Sequence, residues 1–410
     1  MTRTMPLSTC CILILLTLLA APSVRSENAE WPGWLGPHRD GKAPDQGLLK
    51  TWPEGGPKLV WQATNMGQGF SSATVAGGAV FTSGLKDGHL YLIALNMDGT
   101  PKWSKDVDAG CVNDRPGSRS TPTYDGGSLY LETNPGKVGC YDAGTGEEKW
   151  TRKLSEFGGR TPGWGFSESV LVLGDLVIAT AGGTNCLVAL DKKTGATMWA
   201  SDPFAGAHYC SPIAVSYGGV GMIVNGTQGG IVAVDSKSGK TLWTNNFSAG
   251  NTANCPTPAF SDGYVFWANG YGKGGICLKL DVKDGNVTAT EAWRTRDMDC
   301  HHGGYVIQDG YIYGNHGGGW VCLDLKSGEK KWQETAVGKG LLCYADGKLF
   351  LFSENAGRAG FGTASPDGFK LAGGFSVQGK GASWAHPVIA GGRLYLRYDD
   401  NLYVYDIKGP

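Results

Sequence analysis

The stretch MDCHHGGYVIQDG, residues 298–310, sets Cys300, His301 and His302 side by side and runs straight into glycines. A thiol and two imidazoles are soft to borderline donors, the kind that hold copper or zinc. Cys210, Cys255, Cys300 and Cys343 follow one another at intervals of 45, 45 and 43 residues. Cys210, Cys255, Cys300 and His301 are therefore a candidate metal set. Two other readings of the thiols stand beside it. They can pack as small apolar residues, their commonest role, or form disulfides between neighbouring units, which requires Cα atoms within about 7 Å. A second available chemistry is acid–base, with Glu168, His302 and His386 as the groups that burial tunes toward neutral pH. Which chemistry is open depends on the elements that place these residues.

Those elements repeat. One phrase occurs as CYDAGTGEEKW (140–150), ALDKKTGATMW (189–199), AVDSKSGKTLW (233–243) and CLDLKSGEKKW (322–332). Looser copies end at Trp103 and, after a four-residue insertion, at Trp293. An apolar-alternating strand ends at Asp, a turn forms over Thr-Gly or Ser-Gly, and the next strand delivers a tryptophan. A second phrase, a hairpin built on a glycine turn such as GGSLYL (126–131) or DGYIYG (309–314), precedes each of these and occurs eight times. The tryptophans are Trp61, Trp103, Trp150, Trp199, Trp243, Trp293 and Trp332, with Phe375 in the eighth place, spaced 39 to 50 residues apart. That period predicts an all-β fold, an eight-bladed β-propeller of four-stranded antiparallel blades. The last unit runs out of chain before its outer strand, while PKLVW (57–61) has an outer strand and no unit before it. Pairing the two closes the ring with an N-terminal strand and removes an open edge. The propeller is thus assigned to residues 57–410, and residues 27–56 to an N-terminal extension packing on it.

In a propeller the innermost strand of each blade lines the central channel. Here its start can be read in every unit, and CHHGGY (300–305) is the sixth blade's copy of a position that all eight fill. The filling is uneven: Arg119, Glu168, His208, Tyr209 and Asn254 come from blades two to five, and His301, His302, Tyr344, Trp384 and His386 from blades six to eight. Trp164 and Ser167 lie in the approach to blade three. Polar and aromatic side chains converging on one channel mouth are the make-up of a small-molecule site. Arg119, Trp164, Ser167, Tyr209, Asn254, His301, Tyr344 and Trp384 are the candidate ligand-binding residues. Glu168, His302 and His386 are the candidate acid–base groups if the protein is an enzyme.

Composition limits the partners. Arg3 followed by the apolar run CCILILLTLLAA (10–21) is too short to span a bilayer, which takes about 20 residues, and reads as an export signal cut near Ser26. Without residues 1–26 the chain carries 34 basic and 37 acidic groups. Nothing in that balance attracts nucleic acid or an anionic membrane. The expectation is a periplasmic or secreted protein, monomeric and without a membrane span.

The A-x-D-x-x-T-G-x-x-x-W phrase resembles the tryptophan-docking repeat of the pyrroloquinoline-quinone (PQQ) propeller superfamily, whose members include quinoprotein alcohol dehydrogenases and the outer-membrane assembly lipoprotein BamB. WPGWLGPHRDG (31–41), TPGWGFSES (161–169), HHGG (301–304) and WAHPVIAGGRLYLR (384–397) are similar to an exported bacterial subfamily described as PQQ-like, BamB-like or polyvinyl-alcohol-dehydrogenase-like. For the dehydrogenases the resemblance implies PQQ on a tryptophan floor beneath two adjacent disulfide-bonded cysteines, with calcium held by Glu, Asn and Asp. Trp164 or Trp384 would serve as floor, and Glu168 with Asn254 would meet the cation. No adjacent cysteine pair follows residue 26, and no Asp opens an inner strand. Three functions remain in view: binding of a polyol or carbohydrate at the channel mouth, quinoprotein oxidation, and envelope assembly through a protein partner.

Overall fold

The computed structural model describes residues 1–2, 29–110, 115–250 and 252–410. The expected export signal and Cys111 lie outside the described residues. Eight four-stranded antiparallel sheets succeed one another along the chain, an eight-bladed β-propeller. Among the described residues the one helical element is a 3₁₀ turn, Leu154–Phe157, and no helix is long and apolar enough to cross a membrane. Blades 1 to 7 open with the strands Thr74–Ala76, Thr123–Asp125, Leu171–Leu173, Ile213–Tyr217, Ala259–Ser261, Tyr305–Gln308 and Gly340–Ala345. Blade 8 opens with Val388–Ala390 and takes its outer strand from Lys58–Ala63, which pairs with Asn401–Asp406 in a register running from Lys58↔Asp406 to Ala63↔Leu402.

Local chemistry explains the blades. In seven of the eight inner hairpins both turn residues have positive φ, as at Gly126–Gly127 and Asp309–Gly310. This is the tight turn whose twist matches that of its strands. In the phrase that ends at tryptophan, Asp142 Oδ1 accepts from the Gly144 and Thr145 amides at 2.9 and 3.1 Å, and Asp191, Asp235 and Asp324 do likewise. Gly146 then needs its φ of 75°, and a Cβ there would stand 2.7 Å from the Trp103 ring of the preceding blade. The same glycine-on-indole contact joins Trp150 to Gly195, Trp199 to Gly239 and Trp293 to Gly328. Phe375 fills the eighth place against Gly56. In blade 5 the inserted residues lengthen the outer hairpin to Gly274–Lys283 and Asn286–Thr295.

Ring closure is fixed by a buried cation. Arg397, 2% exposed, donates to the carbonyls of Ser71, Ser83 and Gly67 and to Thr82 Oγ1. Blade 8 is thereby bolted to blade 1 and to the segment before it.

The segment 31–48 crosses the hairpin end of the channel. Trp31 bridges to Val75 in blade 1, and the Tyr124 amide of blade 2 donates to Pro32 O. Arg39 reaches the Ser169 and Val170 carbonyls ahead of blade 3. Gly41 accepts from the Tyr344 amide of blade 7, and Asp45 accepts from the Gly392 amide of blade 8. One end of the channel is stoppered; among the described residues, nothing crosses the end where the inner strands start.

Candidate functional site

At that open end lies a cavity of about 270 Å³. Its walls are aromatic: Trp34, Phe70, Trp164, Tyr209, Tyr271 and Trp384. Arg119, Ser167, His301, His302 and His386 add polar groups. Trp34 rises from the stopper and forms the floor, donating to Thr257 Oγ1 at 2.8 Å and standing edge-on to His386, with ring centroids 4.8 Å apart.

The CHHGG stretch supplies one side. The loop turns just before Tyr305–Gln308, so the two adjacent imidazoles face the same mouth, their centroids 3.6 Å apart. His302 is sandwiched between His301 and Trp384, the latter at 4.1 Å, and Trp384 continues onto Phe70 at 4.6 Å. Two residues from blade 7 complete the corner. Gly340 pairs with Ser353 at the start of that blade, which puts the flanking Lys339 and Glu354 together. Lys339 Nζ lies 3.0 Å from Glu354 Oε1 and 3.1 Å from His301 Nδ1. Tyr271 Oη meets His301 Nε2 at 2.8 Å, and Trp384 Nε1 donates to Glu354 Oε2 at 3.2 Å.

Burial sets the charge states. It pushes His301 down to about 3, assisted by His302 and the Lys339 ammonium. It also lowers His302, against the pull of Glu354, and brings His386 to about 4. Burial alone would raise Glu354, but the His302 contact and the Lys339 charge outweigh it and hold the carboxyl at about 2. At neutral pH the corner contains neutral imidazoles, one carboxylate and one ammonium.

Not every candidate residue reaches this cavity. Arg119, Trp164, Ser167, Tyr209, His301, His302, Trp384 and His386 line it. Glu168 does not. It is 2% exposed, its Oε1 accepting from the Thr180 amide and its Oε2 from Asn225 Nδ2, both at 3.1 Å. Burial raises both it and Glu132, whose Oε1 accepts from the Glu168 amide. Asn254 is fully buried, its amide beside His208 Nδ1 at 2.8 Å and donating to Ser248 Oγ. Tyr344 lies at the stoppered end, bridged to Lys42.

The metal set Cys210, Cys255, Cys300 and His301 is not assembled. The eight described cysteines are all free thiols. Cys210 Sγ is turned to Asn254 O and Cys300 Sγ to Gly304 O, while Cys255 lines the cavity. Burial raises the Cys255 and Cys300 thiols to about 12, so they stay protonated.

The sequence reading missed Trp34, which lies outside the repeat, and Lys339, Glu354 and Tyr271. A signal for Glu354 existed. The second strand of each blade runs antiparallel to the first, so its C-terminal end returns to the same mouth. Glu132 ends that strand in blade 2, and Glu354 directly follows it in blade 7.

The family model described as "Outer membrane protein assembly factor BamB" matches residues 46–156 and 112–334, more than half of the chain. The chain belongs to the PQQ-like propeller family. It is 29% identical over 148 residues to BamB of Moranella endobia and 28% identical over 137 residues to BamB of Burkholderia pseudomallei. These matches cover 35% and 32% of this chain, and only 37% and 32% of the relatives' own length. Among solved structures, BamB from Moraxella catarrhalis superposes with a TM-score of 0.61 at 17% identity, over 85% of this chain and 97% of that one. Quinohemoprotein alcohol dehydrogenase from Comamonas testosteroni superposes with a TM-score of 0.65 at 13% identity, over 93% of this chain and 81% of that one. At such identities the likeness is one of fold.

Membership of a PQQ-like family raises the question of the quinone. The resemblance requires Glu168 and Asn254 at one cation, yet both are committed to internal hydrogen bonds away from the cavity. Cys255, the one cysteine among the described residues lining the cavity, is flanked by Asn254 and Pro256 and has no cysteine beside it. The residues present do not fit PQQ with calcium in the arrangement the resemblance implies.

Proposed function

We propose that this protein is an exported, periplasmic or secreted PQQ-like propeller that binds a small polyhydroxylated molecule, a polyol or carbohydrate, at its channel mouth as a monomer and without redox chemistry. The observation that carries this reading is a one-mouthed cavity whose aromatic walls end in a polar corner. Flat rings such as Trp384, Trp164 and Tyr271 supply apolar faces for the C–H faces of a sugar. His302, Ser167 and Arg119, which line the cavity, offer hydroxyl partners of both donor and acceptor type. The about 270 Å³ of space suits a monosaccharide-sized ligand better than a chain.

Calorimetric titration with a panel of polyols and mono- and disaccharides tests this, with PQQ plus calcium as a separate arm. We expect at least one panel member to bind, and Trp384→Ala and Trp164→Ala each to weaken it about tenfold or more, or about 1.4 kcal/mol. Binding that ignores both substitutions overturns the reading. So does tight PQQ binding with alcohol-dependent dye reduction, the quinoprotein outcome. The family match to an assembly factor favours a second reading, an envelope scaffold with a protein partner. In that case cavity substitutions are silent and substitutions on the outer loops abolish the partner contact.

A further inference from the structure

We propose that His301, His302 and Glu354 bind a divalent first-row transition ion, zinc in the first instance, with a further coordination position open to the cavity. One ligand atom from each residue lies within 4.8 Å of the other two. The adjacent imidazoles reach the corner from blade 6 and the carboxylate from blade 7. His302 Nδ1 has no hydrogen-bond partner among the described residues and lies 3.9 Å from Glu354 Oε2.

The corner already receives a cation. Lys339 Nζ sits between His301 Nδ1 and Glu354 Oε1, at 3.1 and 3.0 Å. It marks the place where positive charge is stabilised. Its side chain is 28% exposed, and a flexible four-carbon stem lets the head withdraw to solvent when a metal takes that place. The donors are two nitrogens and one oxygen, which suits zinc and its first-row neighbours; calcium and magnesium prefer all-oxygen sites. Three protein ligands leave a position for water or a ligand, the pattern of zinc sites that keep an open face. Outer contacts are in place as well. Tyr271 Oη engages the far nitrogen of His301, and Trp384 Nε1 donates to the carboxylate, each fixing a donor's orientation. Bonds of about 2.1 Å in tetrahedral geometry put donors about 3.4 Å apart, so the three side chains must draw inward by small rotations. Of the candidate metal set read from the sequence, this site keeps His301 alone and leaves the thiols out.

The test is equilibrium dialysis of the full chain as exported, untagged, against zinc chloride at pH 7, with no sugar present. It is therefore independent of the proposed small-molecule binding. One zinc per chain is expected. Glu354→Gln and His302→Ala should each weaken it about tenfold or more. Lys339→Met, which removes the competing ammonium, should strengthen it. Near-ultraviolet circular dichroism verifies folding, and the near-isosteric Glu354→Gln carries the test if His302→Ala does not fold. Absence of stoichiometric zinc overturns the proposal, as does stoichiometric zinc indifferent to Glu354→Gln. Weaker zinc binding in Lys339→Met contradicts the position assigned to the ion.

Discussion

His386 sits 5% exposed with Nε2 3.2 Å from His302 O and Nδ1 3.4 Å from Leu342 O. Burial nevertheless holds it at about 4, as it does His208, and His301 lies at about 3. An unfolded histidine titrates near 6.5, so below that pH the unfolded chain binds protons that the folded chain refuses. The histidines' contribution to stability is full above about pH 6.5 and falls as pH drops toward 4. Glu354, held at about 2, adds loss of the same sign between about pH 4.5 and 2. Raised Glu168 and Glu132 act oppositely, costing stability as pH climbs above the ordinary carboxyl range. Denaturant midpoints measured across pH should therefore fall steeply below 6.5, and His386→Gln should remove up to about 3 kcal/mol of that fall. An unchanged slope in the variant would contradict the assignment of His386 as a buried neutral group. At this scale the sequence was half legible. The inner-strand rule finds His301, His302, Trp384 and His386 because each precedes a recognisable hairpin. It also selects Glu168 and Asn254, since the rule fixes the end of the strand and not which way the side chain turns.

The tryptophan-docking hairpin is the element that was plainest in sequence, because its constraints are local. Asp142 must accept the turn amides, Gly146 must adopt positive φ, and that glycine must leave room for the neighbouring indole. Trp150 shows the energetic consequence. It is 8% exposed, its Nε1 donates to Lys192 O in the next blade, and its ring covers Gly195. Trp150→Ala should cost about 3 to 5 kcal/mol, and Gly195→Ala should be destabilising through both its φ of 73° and the indole 2.7 Å away. Chemical denaturation measures both. A loss within 0.5 kcal/mol, the usual range for surface substitutions, would show that the dock is not a structural joint. The extension was legible only as a segment expected to pack somewhere. Its course over the channel depends on side chains such as Arg39 finding carbonyls far away in sequence, and no local pattern encodes that.

For the molecule as a whole, closure and stoppering decide what the channel can be. The pairing of Lys58–Ala63 with Asn401–Asp406 follows from an incomplete last blade and was readable, whereas the Arg397 bolt was not. Arg397→Met takes the side-chain donor from the buried Ser71 and Gly67 carbonyls, while Ser83 O keeps Ser118 Oγ, and should cost about 3 kcal/mol or more, read as a lower unfolding midpoint. With the hairpin end crossed by residues 31–48, the ligand we propose would enter and leave by the mouth that Trp164, His301 and Trp384 surround. We propose this mouth as the binding site. Hydrogen–deuterium exchange with and without the strongest-binding polyol or sugar tests it directly. Added protection is expected in residues 161–169, 300–304 and 383–386, with the outer strands unchanged. Protection confined to the outer strands, or absent from those three segments at saturating ligand, would contradict it.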